Sequence, residues 1–220
     1  MDYLIPRYDP QLVLISLLIA SFASYVALDL AKRMGATNFR VARGWWAAGS
    51  LSMGTGIWSM HFVGMLAYSL PIALGYTVLL TLLSWIAAVG VSGLALWLAS
   101  RGRLTPMHLW GGALLTGAGI CAMHYTGMAA LDMTPAIVWR WDLVAASAAI
   151  AVGASAVALL IFFRLRLVQA SRGWLYQLLA ALIMGVAISG MHYTGMHGTY
   201  SRGSSRKRCA YKVGLAGWPL

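Results

Sequence analysis

Near the end of one apolar run stands the hexapeptide Met123-His124-Tyr125-Thr126-Gly127-Met128, and it returns letter for letter as Met191-His192-Tyr193-Thr194-Gly195-Met196. A looser copy comes earlier, Met60-His61-Phe62-Val63-Gly64-Met65. The likeness extends upstream, where Gly56-Ile57-Trp58-Ser59, Gly119-Ile120-Cys121-Ala122 and Ala187-Ile188-Ser189-Gly190 precede the three Met-His pairs. The histidines are 63 and then 68 positions apart. A repeat of this kind marks one supersecondary unit stacked on copies of itself. At this length the unit holds two membrane crossings, so the chain is expected to be a triplicated helical hairpin.

Composition decides the solvent. The chain is 60% hydrophobic and 10% charged, with a mean hydropathy of +0.75, whereas soluble domains carry about a quarter charged residues. Five acidic side chains cannot solubilise so apolar a globule, and an integral membrane protein is expected. A spanning helix needs about 20 mostly apolar residues. Six segments qualify, roughly 11–31, 45–69, 76–99, 108–130, 143–163 and 174–197. The expected fold class is therefore all-α, a polytopic transmembrane helix bundle of six spans. The first run is long enough to span and has only Arg7 before it as a basic residue, so a cleaved signal peptide is not expected. Cys121 and Cys209 make neither a disulfide framework nor a Cys-rich metal motif.

The net charge of +11 would suggest nucleic acid in a soluble protein. Here it belongs in loops, and no nucleic-acid partner is expected. Lys32, Arg33, Arg40 and Arg43 follow the first span, Arg101 and Arg103 the third, and Arg164, Arg166 and Arg172 the fifth. Those loops hold nine basic residues and no acidic ones, which the positive-inside rule assigns to the cytoplasm. The N-terminus then lies outside. Trp45, Trp46, Trp110, Trp139, Trp141 and Trp174 fall near the expected interfaces, where indole rings are favoured. Asp29 is expected to pair with Arg33 one turn on. His61, His124 and His192 stand 16, 16 and 18 residues past their helix starts. That is about 24–27 Å along a core about 30 Å thick, so all three motifs are expected at one depth near the outer face.

Positions four apart share a helix face, which pairs His61 with Met65, His124 with Met128 and His192 with Met196. Met60, Met123 and Met191 lie about 100° round the helix from their histidines and flank the same space. Gly64, Gly127 and Gly195 remove side chains between the donors and permit close helix approach. Thioether with imidazole is a soft-to-borderline ligand set that suits copper, Cu(I) above all. It fits Mg²⁺ or Ca²⁺ poorly, because no carboxylates stand nearby. Three histidines can hold zinc, but the six methionines would then go unexplained. One or two copper ions are expected. The bland reading is that methionine simply packs adaptably in an apolar core; the threefold recurrence at one depth weighs against it. His108 and His197 do not recur and are expected to be interfacial and an optional extra ligand, respectively.

No enzyme signature accompanies the motif: there is no phosphate loop, no Ser-His-Asp pattern and no carboxylate pair beside it. An enzyme is not expected. Three other readings stay open. Two of the histidines are suitable axial ligands for haem. A copper channel or carrier would want stacked methionines, but Met34, Met53, Met107, Met133 and Met184 look scattered. The last is a purely structural bundle.

The triplicated Met-His-[Tyr/Phe]-x-Gly-Met motif, with Tyr8-Asp9-Pro10 and Ser24-Tyr25-Val26-Ala27-Leu28-Asp29-Leu30-Ala31, resembles the bacterial MHYT domain, a membrane sensor module. The resemblance covers residues 8–200. It implies a multi-pass protein of the bacterial inner membrane, with copper held by the Met and His residues near the outer face. It also implies a diatomic gas ligand, O₂, CO or NO. Family members often continue through a seventh span into cytoplasmic output modules that act on cyclic di-GMP, or into kinase or DNA-binding modules. This chain shows neither, so a separate cytoplasmic signalling partner is a further expectation. Residues 201–220 read as a basic polar tail, with Arg202, Arg206, Lys207, Arg208 and Lys212 on what should be the outer side. Disorder there, a sixth segment not fully inserted, or loss of a seventh span by truncation or frame shift are the expectations for it.

Overall fold

Each repeat folds as strand, helix, helix, strand. In the computed structural model the described residues are 7–34, 39–69, 75–100, 105–132, 137–166, 173–197 and 199–201. The first repeat is β1 (Arg7–Tyr8), α1 (Pro10–Met34), α2 (Phe39–Ala67) and β2 (Tyr68–Ser69). The second is β3 (Gly75–Tyr76), α3 (Val78–Ser100), α4 (Pro106–Ala129) and β4 (Leu131–Asp132). The third is β5 (Ile137–Trp139), α5 (Trp141–Arg166), α6 (Gly173–His197) and β6 (Thr199–Ser201). The six helices match the six expected spans to within a few residues, apart from the N-terminal extension of α2.

The strands are the departure from the expected all-helical hairpin. Each repeat closes on itself through an antiparallel ladder of two or three residue pairs: Tyr8 opposite Tyr68, Tyr76 opposite Leu131, and Trp139 opposite Thr199. Backbone bonds from Asp9 N to the Ala67 carbonyl (2.9 Å) and from Thr77 N to the Ala130 carbonyl (2.8 Å) extend the first two clasps. So short a ladder contributes little by itself. It satisfies backbone groups at helix ends, where capping partners are needed, and ties the start of each odd helix to the end of the following even one. All three clasps lie at the end of the bundle that carries the Met-His motifs. Tail residues 202–220, with Cys209 and the five basic side chains, lie outside the described residues, as do Arg101, Arg103, Met133 and Arg172.

Four helices, α1, α3, α5 and α6, are long and apolar enough to cross a membrane. α2 and α4, of 29 and 24 residues, match them in length. Their hydropathy is diluted by Gly, Ser, Thr and His, and many of these are buried against neighbouring helices. The outward faces are hydrocarbon: Phe22, Leu79, Trp110, Leu114 and Val186 are among the most exposed side chains. Apolar outside and small or polar inside is the pattern of a bundle in lipid, where small residues let backbones approach. At its other end, Arg33 Nε lies 2.9 Å from Asp29 Oδ2, the expected one-turn pair.

The helices close into a ring in which α2 packs on α3, α4 on α5 and α6 on α1. A glycine stands at the close approach in each contact. A Cβ on Gly54 would lie 2.5 Å from Val89 Cα, one on Gly117 2.9 Å from Val152 Cα, and one on Gly185 2.9 Å from Ser21 Cα. These glycines repeat with the spacing of the histidines, 63 and then 68, and the residues they meet, Ser21, Val89 and Val152, repeat at 68 and then 63. Gly117→Ala is expected to destabilise the bundle by about 1–3 kcal/mol through overpacking. Gly153→Ala on the adjoining helix, with nothing within 4 Å of the new Cβ, should be neutral. Thermal unfolding in detergent separates the two.

The odd helices carry a second, hidden repeat. Ser16, Ala20, Ser24 and Leu28 in α1 correspond to Ser84, Ala88, Ser92 and Leu96 in α3, and to Ser147, Ala151, Ser155 and Leu159 in α5. All twelve are buried. Spaced by four, they form the inward stripe of each odd helix, and the bundle has pseudo-threefold symmetry throughout.

Candidate metal centre

The three motif histidines meet on the pseudo-threefold axis. His61 Nδ1 lies 3.0 Å from His192 Nδ1 and 3.1 Å from His124 Nδ1, and the third side of the triangle is 3.4 Å. Their rings stand edge to face, at 74–88° to one another. All three are sealed, with no more than 1% of their surface exposed.

The motif glycines hold this arrangement, and each serves the histidine of another repeat. A Cβ on Gly127 would overlap His61 Nε2 and lie 2.9 Å from its Cδ2. Gly195 stands in the same relation to His124, at 3.1 Å from Cδ2, and Gly64 to His192, at 2.8 Å. The imidazole edge of one repeat thus fills the gap left by the missing side chain of the next. The three Nε2 atoms have no hydrogen-bond partner among the described residues.

A neutral imidazole carries one N–H and one lone pair, on different nitrogens. Each Nδ1 in the triangle is therefore a donor or an acceptor and never both, so three cannot close a ring of hydrogen bonds. Any tautomer choice leaves one pair of like atoms facing each other, in a buried site where unsatisfied polar groups are costly. Three lone pairs pointed inward suit a cation. Nitrogens bound at about 2.0–2.1 Å to one tetrahedral or trigonal ion are about 3.3–3.6 Å apart. The observed triangle is within a few tenths of an ångström of that, so the residues present fit one ion held by three Nδ1 atoms.

The six methionines do not join the histidines in one cluster; they split into layers on either side. Met65, Met128 and Met196, four residues after each histidine, pack together above the triad. Met60 and Met123 pack below it with Ile57 and Ile188, and Met191 is buried at the equivalent position. His124, for example, therefore lies between a thioether lid and a thioether floor. His197 is exposed, with its ring stacked on Tyr8 and Nδ1 2.8 Å from the Tyr193 carbonyl. It is outside the triad, which corrects the expectation of an extra ligand. His108 is exposed beside its N-cap Thr105, with Nδ1 2.8 Å from Oγ1.

Above the lid sits an aromatic roof that sequence reading missed. Tyr8, Tyr76 and Trp139, the final residues of β1, β3 and β5, pack on Tyr193, Phe62 and Tyr125, with centroids 5.9, 5.5 and 5.4 Å apart. Burial, with Tyr68 and Tyr193 alongside, holds the Tyr8 phenol well above its ordinary range, so it caps the site as a neutral group. The inner serines brace the motif tyrosines: Tyr193 Oη is 2.8 Å from Ser16 Oγ, and Tyr125 Oη is 2.5 Å from Ser147 Oγ. In the first repeat Phe62 offers no hydroxyl. Trp58 instead donates its indole N–H to Ser84 at 3.1 Å, which explains why the tyrosine is dispensable there. The signal for these serines was present in the 68- and 63-residue spacing, hidden among common apolar letters.

The MHYT family model, described as a bacterial signalling protein N-terminal repeat, matches residues 54–112 and again 117–173. The chain belongs to the MHYT family. It is 55% identical over 188 residues to MucR of Pseudomonas aeruginosa, a bifunctional diguanylate cyclase/cyclic di-GMP phosphodiesterase, covering 86% of this MHYT chain and 27% of that protein. NbdA of the same organism, a cyclic di-GMP phosphodiesterase, is 40% identical over 84% of the chain and 23% of its own length. The signaling protein YkoW of Bacillus subtilis is 39% identical, again over 84% of the chain and 23% of its own length. The chain thus spans about a quarter of these relatives. No solved structure matches it. It is a multi-pass membrane protein of a signalling family.

Proposed function

We propose that this MHYT chain is a sensor module that binds one copper ion through Nδ1 of His61, His124 and His192. O₂, CO or NO is the signal. The triangle of converging, buried nitrogens is the observation that carries the reading. The thioethers of Met60, Met65, Met123, Met128, Met191 and Met196, stacked on both sides, favour copper over harder ions. Three nitrogens within 3.4 Å of one another leave no slot for a porphyrin between two axial histidines, which argues against haem. When bound, copper supplies a position at which a small ligand exchanges. The chain's own part is to orient three rings, keep water out with hydrocarbon and thioether, and join three repeats at one point.

A change in ring position therefore reaches α2, α4 and α6 together. An ordinary allosteric coupling of about 1–3 kcal/mol is sufficient to bias two bundle states. The loop charges favour a triad near the outer face with the basic loops in the cytoplasm, and the family likeness favours the bacterial inner membrane and a cytoplasmic output partner. The relatives' names point to cyclic di-GMP turnover as the kind of output served. Infrared spectroscopy of purified, Cu(I)-loaded protein under CO is the test. One C–O stretching band is expected in the wild type and none in His124→Ala; an unchanged band in the variant contradicts the reading.

A copper carrier is the second reading, and one observation favours it. Met53 and Met184 are not scattered. They occupy equivalent positions on α2 and α6, two turns below the triad, and line one cavity. Copper uptake into proteoliposomes would support transport.

A further inference from the structure

Beneath the methionine floor the bundle holds a partly open cavity of about 70 Å³, lined by residues from all six helices. Its wall repeats with the fold. Met53, Thr116 and Met184 form one ring, and Ile57, Ile120 and Ile188 form the next ring toward the triad. Ile57 and Ile188 also belong to the floor on which Met60 and Met123 rest. No lining residue is charged. The only side-chain hydroxyls are those of Thr116 and Ser155, and both are buried without a hydrogen-bond partner.

We infer that this axial cavity is a second binding site, taking a small uncharged apolar molecule of diatomic size. Apolar cavities in proteins stay dry, and one of about 150 Å³ accepts benzene or xenon. The present void is about half that volume, which excludes an aromatic ring and admits a diatomic gas or a xenon atom. Water needs 2–4 polar partners in such a site, and two hydroxyls on a hydrocarbon wall meet that only at the minimum. Apolar gases dissolve readily in the bilayer that surrounds these helices. The cavity thus concentrates ligand one layer from the triad, and occupancy presses on Ile57 and Ile188, which support the methionine floor. This last step rests on the sensor reading above; the site itself does not.

The test is ¹²⁹Xe NMR on the full chain in nanodiscs, with metal content and melting temperature measured on the same samples. A saturable bound-xenon signal is expected in the wild type. Ala95→Leu and Ala158→Leu, which fill the void from α3 and α5, are each expected to abolish it at unchanged metal content. Thr116→Val keeps the volume, removes a hydroxyl and should retain xenon, which keeps the proposal open to test if both filling variants unfold. No saturable signal in the wild type overturns the site. So does xenon uptake untouched by the filling variants, or uptake that begins only with Thr116→Val, which would mean the void holds water. Xenon binding in a protein that holds no metal would leave the cavity standing and remove the sensor reading; metal without xenon would do the reverse.

Discussion

Gly127→Ala is expected to strip the protein of its metal although every histidine and methionine remains. The added methyl would occupy the position of His61 Nε2 and come within 2.9 Å of Cδ2. Neither side can yield easily, because His61 is fully buried and its ring abuts those of His124, His192 and Phe62. The imidazole must swing, and its Nδ1 then leaves the triangle. Displacing groups that only position a metal ligand lowers affinity by about 10–100-fold, and loss of the ligand itself should exceed that. Gly195→Ala and Gly64→Ala should repeat the effect through His124 and His192. Gly190→Ala is the control. It stands one residue before Met191, has nothing within 4 Å of the added Cβ, and should keep full metal content. Elemental analysis of the four purified variants checks the set. Equal loss in all four would mean general helix damage and no histidine socket.

The second large effect is on stability. Removing the metal from wild-type protein with a soft chelator is expected to lower its melting temperature by roughly 5–10 °C, taking about 2.7 kcal/mol for a site held at a hundred times its Kd. The cause is the arithmetic of the triangle. Without a cation, three converging Nδ1 atoms always leave one like pair in contact and buried. A variant with all three histidines replaced by leucine removes that conflict along with the ligands. It should show no response to chelator at all. Differential scanning fluorimetry with and without chelator reads both. A chelator effect that survives in the leucine variant would place the stabilising ion elsewhere.

Much of this was legible because the chain repeats itself. Matching letters around His124 and His192, with a looser copy around His61, carried the hairpin count and the convergence of the three histidines. Apolar runs of about 20 residues marked the six helices, whereas Lys32, Arg33, Arg40 and Arg43, read as one loop, lie inside the ends of α1 and α2. Other features left weaker marks. Met60 and Met65 are both expected from the sequence to share the space of His61, but Met60 packs in the floor with Ile57 and Ile188 while Met65 packs in the lid with Met128 and Met196. The clasps that carry Tyr8, Tyr76 and Trp139 are two or three residues long, too short for any periodicity to show. The stripe Ser16-Ala20-Ser24-Leu28 recurs in α3 and α5, but small and apolar letters are so common in membrane helices that the recurrence passes unnoticed without the packing. The glycines were read as spacers within one motif. Only the closed ring of helices reveals that each accommodates the histidine of a different repeat.

The central claim is that one ion is held jointly by the three repeats. Metal-to-protein ratio, measured on protein purified from membranes, tests it most directly when the wild type is set beside a variant carrying His61→Ala, His124→Ala and His192→Ala together. A single copper ion per chain in the wild type and none in the variant is the result predicted here. Undiminished copper in the folded triple variant would contradict it.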